Sequence, residues 1–156
     1  MRFILLFSIL IWMTGCSQKN AISVNTEPTA SAWKVLNTGD NMIRKRVLVR
    51  GSCWDYIDCI YTKAGCSRKQ RKTVFKSTKH GPYVDAKKIK PGDWLYFLNG
   101  SYHNSEHSAI FVKWIDFKSK TARMLSYQGE GKRKPARYKN YILKKVYHIM
   151  RAERKS

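Results

Sequence analysis

The chain has 156 residues, of which 31 are Lys or Arg and 10 are Asp or Glu, so its formal net charge is +21 at pH 7. This length allows one domain with a single core, and the sequence contains no internal repeat and no coiled-coil heptads. Such a charge argues against cationic partners and favours anionic ones, such as lipid headgroups and polyanionic envelope polymers.

The first sixteen residues have the pattern of an export signal. Arg2 supplies a positive charge, residues 3–13 are apolar with one exception, and Thr14-Gly15 place small residues directly before Cys16. A charged start, an apolar run of about 7–15 residues and a small-residue junction are typical of a secretory signal, and such a run is too short to span a membrane. A cysteine at this junction resembles the bacterial lipobox, in which the cysteine is acylated and becomes the new N-terminus.

The lipobox resemblance implies a location. It predicts a signal peptide over residues 1–15 and lipidation of Cys16. Ser17 stands where a retention signal usually has Asp, which implies the outer membrane of a Gram-negative cell, facing the periplasm. Residues 16–32 are rich in Ser, Thr, Asn and Ala and predict a flexible tether. We therefore expect a domain over residues 33–156 at a membrane surface, where nucleic acid is not an expected partner.

Residues 54–64 predict an amphipathic helix with a cysteine at its N-terminus. Gly51-Ser52 precede it as a turn and cap, and Gly65 is suited to end it. Its apolar face is formed by Cys53, Ile57, Ile60 and Ala64.

Cys53 is the candidate nucleophile, because a helix N-terminus stabilises a thiolate. The alternative is that Cys53 is a small buried apolar residue. Cys53 and Cys59 are about 9 Å apart along a regular helix, beyond the roughly 7 Å that a disulfide allows. Cys59 and Cys66 meet only if the chain turns sharply after Gly65. The sequence has no Cys-x-x-Cys and no pair of histidines on a predicted helix, so we expect no metal and no cofactor.

A thiolate nucleophile needs a base, and the chain has four histidines. His107 opens the apolar run HSAIFV, which predicts a buried strand. His80 and His103 fall in polar loops, and His148 falls within the last predicted strand. The other predicted strands cover residues 94–98, 122–128 and 141–150. A helix followed by antiparallel strands predicts an α+β fold.

Three segments in this order resemble the NlpC-type papain-like cysteine peptidases, to which the CHAP amidases are related. They are CWDYIDCIYTKAG at residues 53–65, IKPGDWLYF at residues 89–97 and HSAIFV at residues 107–112. The resemblance covers about ninety residues. It implies a papain-like domain in which the nucleophile helix packs on an antiparallel sheet. Where many family members have Asp-Cys-Ser-Gly, this chain has Ser52-Cys53-Trp54-Asp55.

The resemblance also implies a site. Cys53 would be the nucleophile, His107 the base, and a third polar residue would orient the imidazole. On the strand predicted over residues 122–128, Gln128 and Ser126 share a face. We expect Gln128 to be the third residue, with Ser126 as the rival.

The expected function is hydrolysis of amide bonds in peptidoglycan stem peptides by a cell-envelope peptidase or amidase. Two alternatives remain open at this point. One is a basic lipoprotein that binds anionic envelope polymers or a lipid surface without catalysis. The other is an enzyme of the same fold that acts on another acyl bond.

Overall fold

The structure is a computed structural model that describes residues 26–153. Two helices pack on one face of a six-stranded antiparallel sheet, which confirms the predicted α+β class. The helices are α1 (Ala30–Arg44) and α2 (Cys53–Lys63), and the strands are β1 (Arg71–Lys76), β2 (Trp94–Asn99), β3 (Ser105–Asp116), β4 (Thr121–Ser126), β5 (Arg137–Ile142) and β6 (Val146–Ala152). The strand order is β1-β6-β2-β3-β4-β5. No helix within the described residues is long and apolar enough to cross a membrane.

Helix α1 was not expected from the sequence, and its first turn lies within the segment assigned to the tether. The Thr29 hydroxyl caps it by accepting a hydrogen bond from the Ala32 amide at 3.2 Å. Its buried face is made of small and medium residues: Ala32, Val35, Gly39 and Met42. The ordered domain therefore begins at least three residues before position 33. The predicted signal peptide, Cys16 and most of the tether lie outside the described residues.

Helix α2 matches the predicted helix closely. Ser52 is its N-cap, Cys53 is its first residue, and Gly65 follows it with φ +81°. A positive φ is accessible to glycine without steric cost, which is why the helix can end there. Ile57 and Ile60 are fully buried against the sheet.

The strands show two departures from the predicted pattern. Residues 141–150 form parts of two strands, β5 and β6, and not one, because the chain turns at residues 143–145. Strand β1 was missed, since its sequence RKTVFK is half basic and lacks apolar alternation. It lies at an edge of the sheet, where charged residues are common.

The sheet must curl. The three residues 143–145 join β5 at one edge to β6, which lies four strand spacings away. Four spacings in a flat sheet amount to about 19 Å, whereas the four Cα steps of the connection reach at most about 15 Å. On the face opposite the helices, the Phe97 and Tyr141 ring centroids are 5.3 Å apart although β2 and β5 are three strand spacings apart, so this face is concave. We call it the inner face. We call the other the helix face.

Each face carries its own apolar cluster. Ile110 and Leu125 lie on the helix face and pack with α2, whereas Phe97 and Phe111 lie on the inner face. Side chains alternate along a strand, so neighbouring residues of β3 belong to different clusters. This alternation decides how the candidate site is arranged.

Candidate active site

The loop before α2 is held by a network at the helix N-terminus. The Ser52 amide donates to Asp55 Oδ2 at 2.7 Å, and the Trp54 amide donates to Ser52 Oγ at 3.2 Å. The Ser52 hydroxyl also donates to Asp55 Oδ2, at 2.8 Å, and the hydrogen bonds from the Ser52 amide and hydroxyl lower the pKa of Asp55. Gly51 has φ +109°, and a Cβ there would lie 2.4 Å from Asp55 Oδ2, so the turn requires glycine. Cys53 is thereby fixed at the first helical position.

The Cys53 thiol is half-buried and free. Its sulfur accepts a hydrogen bond from Ser108 Oγ at 3.5 Å. Cys59 and Cys66 are also free, so no disulfide joins these three cysteines. Burial raises the pKa of the Cys66 thiol, which makes this cysteine a poor nucleophile.

His107 lies near the start of β3, as predicted, and its ring is held by two hydroxyl groups. Nε2 lies 2.9 Å from Ser126 Oγ and 3.3 Å from the Tyr141 hydroxyl. The two hydroxyls are 2.8 Å apart, so the three groups form a closed triangle. Ser126 and Tyr141 are both buried. When the ring proton is on Nε2, the lone pair of Nδ1 is available to accept a proton.

Burial, with a smaller contribution from the charge of Lys139, lowers the pKa of His107 to about 4. The imidazole is therefore neutral at pH 7, which is the form that a base requires. Burial raises the pKa of Tyr141, the Ser126 hydrogen bond opposes that rise, and negative charge on Cys53 adds to it.

Cys53 and His107 are near each other in the fold but do not form the expected hydrogen bond. Within residues 26–153, the Cys53 sulfur is hydrogen-bonded to Ser108. The His107 ring is hydrogen-bonded to Ser126 and Tyr141. The reason is strand alternation: His107 pairs with Phe97 on the inner face, whereas Ser108 points to the helix face. The thiol therefore contacts the residue next to the histidine.

The expectation that Gln128 contacts His107 is wrong for this structure, and Ser126 takes that position. Strand β4 ends at Ser126, so the alternation that would have aligned Gln128 stops before it. Gln128 is exposed, and its Oε1 accepts a hydrogen bond from Arg137 at 3.4 Å. Gln128 nevertheless lines the same cavity as His107.

The other histidines do not join this group. His80 and His103 lie in exposed turns, as expected. His148 lies on β6, where its ring stacks on Tyr96 with 4.7 Å between centroids. Burial lowers the pKa of His148 as well, with Lys76 adding to the shift.

Tyr141 is the site residue that the sequence analysis did not identify. It was predicted only as the start of a strand, and nothing local marks its hydroxyl as functional. Its position depends on the pairing of β5 with β4, where Tyr141 lies opposite Ala122. Along β4, Ala122, Met124 and Ser126 lie on the same face of the sheet. The contact between Tyr141 and Ser126 therefore depends on strand pairing and cannot be predicted from neighbouring residues.

Comparison with protein-family models found no match to this chain, and comparisons with curated proteins and with solved structures also found none.

Proposed function

We propose that this protein is a cysteine hydrolase with a papain-like arrangement of the NlpC type, which cleaves amide bonds of peptidoglycan stem peptides. The observation that carries the proposal is the pairing of two features at one end of β3. A thiol at a helix N-terminus contacts Ser108, and the adjacent His107 is neutral and oriented through Nε2. The residues that resemble the family in sequence are the ones involved.

The fold supports this proposal in its coarse features. A nucleophile helix packs on a curled antiparallel sheet, and a histidine at the start of a strand lies at the mouth of that sheet. Papain-like sites orient the imidazole with a side-chain oxygen, and here the Ser126 and Tyr141 hydroxyls supply that contact. Both groups are uncharged, so they orient the ring without stabilising an imidazolium.

The proposed mechanism has two stages. His107 Nδ1 takes the thiol proton, and the Cys53 sulfur attacks the amide carbonyl carbon to form a C–S bond. The imidazolium then gives its proton to the leaving amine as the C–N bond breaks. Water, deprotonated by His107, attacks the resulting thioester, and the thiolate leaves with release of the acid. For the first step, the Cys53 sulfur and the His107 ring must approach each other, because they form no hydrogen bond to one another in this structure.

The oxyanion of each tetrahedral intermediate needs hydrogen-bond donors. The first N–H groups of an α-helix have no partner within the helix. The Cys53 amide is one of these in α2, whereas the Trp54 amide is already occupied by Ser52 Oγ. We assign the Cys53 amide to the oxyanion.

The test is release of soluble stem-peptide fragments from purified sacculi. The wild-type protein should release them, and Cys53→Ala should reduce the rate by about 10³-fold or more, because the nucleophile is lost. Cys59→Ala is the matched control, since it removes another half-buried thiol from the same helix. Equal rates for wild type and Cys53→Ala, with circular dichroism showing both folded, would falsify the proposal.

We also propose that Cys16 carries a lipid and holds the domain at the envelope surface. The support is the Thr14-Gly15-Cys16 junction after an apolar run. Metabolic labelling with a clickable fatty acid should tag the wild type and Cys53→Ala, and leave Cys16→Ala untagged. Equal labelling of all three proteins would contradict the assignment.

A non-catalytic role stays as the second candidate, and the net charge of +21 favours it. A basic lipoprotein would bind anionic polymers through its Lys and Arg side chains. It would bind them equally well with Cys53 replaced, and it would release no fragments from sacculi. The sacculus experiment therefore separates the two candidates.

A further inference from the structure

The mouth of the curled sheet contains a cavity of about 300 Å³ beside His107. Mouths of curled and closed sheets are common ligand sites, and this volume is at the small end of their range. Each lining residue carries a polar side-chain group, namely a hydroxyl, an amide, an imidazole or an ammonium. Its residues include Ser105, His107, Gln128, Lys132, Lys139 and Tyr141.

The charge of this cavity has one sign. Lys132 and Lys139 line it, and no Asp or Glu is among its lining residues within the described chain. Neither lysine belongs to an ion pair among residues 26–153. Glu130 lies two residues before Lys132 but does not line the cavity. The two ammonium groups are therefore available to an anion.

Lys139 has a defined position. Its Nζ lies 5.0 Å from the centroid of the Tyr141 ring, the ring whose hydroxyl contacts His107. A cation over an aromatic face keeps its outer N–H groups free to donate. An anion bound by Lys139 would consequently lie close to the reacting group and not at a remote surface.

We propose that Lys132 and Lys139 bind a carboxylate of the peptide substrate in this cavity and so determine specificity for acidic peptides. The inference rests on the proposed hydrolase function, because it uses the same histidine. A carboxylate has two acceptor oxygens to which both ammonium groups can donate, and the Ser105 and Gln128 side chains can donate to its remaining lone pairs.

The cavity also links substrate binding to the base. The charges and titratable groups around His107 are Lys139 and Tyr141 on β5 and Lys132 in the loop after β4, with the Ser126 hydroxyl on β4. Lys139 disfavours a proton on His107. A bound carboxylate offsets that charge, so His107 becomes a stronger base when the substrate is present.

The experiment measures binding without turnover. The full-length Cys53→Ala protein is titrated calorimetrically with acetyl-Ala-Glu-Ala and with its uncharged analogue acetyl-Ala-Gln-Ala-amide at about 50 mM salt. The acidic peptide should bind about tenfold more tightly. Adding Lys139→Met or Lys132→Met should remove that preference. Lys118→Met is the matched control, because it removes the same charge from an exposed turn outside the cavity, and it should keep the preference.

Two results would overturn the proposal. One is equal affinity for the two peptides, or a preference that all three lysine variants retain, since either result would assign binding to the overall charge. The other is inorganic phosphate displacing the acidic peptide at equal concentration, which would make this a general anion site. A protein that shows the lysine-dependent preference but cleaves no sacculi would contradict the hydrolase function and leave the carboxylate site intact.

Discussion

His107 and His148 lie on strands of the same sheet, and burial lowers the pKa of both. They differ in what holds the ring. Two hydroxyls contact His107 Nε2, whereas His148 Nε2 is buried with no hydrogen-bond partner among the described residues. The His148 ring is instead stacked on Tyr96.

Hydrogen bonding of the ring, and not its pKa, distinguishes the candidate base His107 from His148, which is held by packing alone. A low pKa alone reports burial and is shared by both rings. Hydrogen bonds at one nitrogen hold the ring in one orientation and so set the direction of the other nitrogen, and of these two rings only His107 has them. His107 also lines a cavity where a substrate can enter.

His148 lies on the same face of the sheet as the Cys53 thiol. Tyr96 pairs with Ser108 on one side and with His148 on the other, so all three side chains point to the helix face. By face alone, His148 would be the better partner for Cys53. We nevertheless assign the role of base to His107, because its ring is hydrogen-bonded and lines the cavity.

The largest expected effect is the difference between substituting His107 and substituting His148. His107→Gln should lower the rate of fragment release from sacculi by about 10³-fold, within the range for loss of a general base. His148→Gln should leave the rate within about threefold, because a stacked ring contributes packing only. A larger loss of rate in His148→Gln than in His107→Gln would mean that His148 is the base and that the reaction takes place on the helix face.

A smaller effect is expected when the Ser126 or Tyr141 hydroxyl is removed. Ser126→Ala and Tyr141→Phe should each lower the rate about fivefold, since each removes one neutral hydrogen bond worth roughly 1 kcal/mol. The double variant should lose about thirtyfold, because no hydroxyl then orients the ring. Ser119→Ala, which removes a hydroxyl from an exposed turn outside the cavity, is the control and should stay within about twofold. Gln128→Ala should lose less than either hydroxyl variant. A greater loss in Gln128→Ala than in either hydroxyl variant would restore the role first expected for Gln128.

Local sequence signals were sufficient to predict the nucleophile helix. The glycine and serine before Cys53 and the glycine after the helix act within one turn, so their effect can be predicted from neighbouring residues. The apolar run after His107 likewise predicted β3, because alternation and β-branched residues are local properties.

The rest depends on contacts between distant parts of the chain. The orienting hydroxyls of Ser126 and Tyr141 meet only because β4 pairs with β5. The preference for Gln128 assumed that strand β4 runs two residues further than it does. Helix α1 has a capping Thr29 but no glycine directly after its last residue, and its burial depends on distant residues such as Leu125, against which Gly39 packs.

The most direct test of the central claim is the rate at which limiting iodoacetamide alkylates each cysteine at pH 7, followed by mass spectrometry. Cys53 should react before Cys59 and Cys66, and His107→Gln should slow Cys53 at least about tenfold while His148→Gln leaves its rate unchanged. Because the pKa of His107 is about 4, the ratio of wild-type to His107→Gln rates should hold from pH 7 to about 5.5 and fall only near pH 4. Alkylation of Cys53 at the wild-type rate in His107→Gln, or faster alkylation of Cys59, would contradict the account.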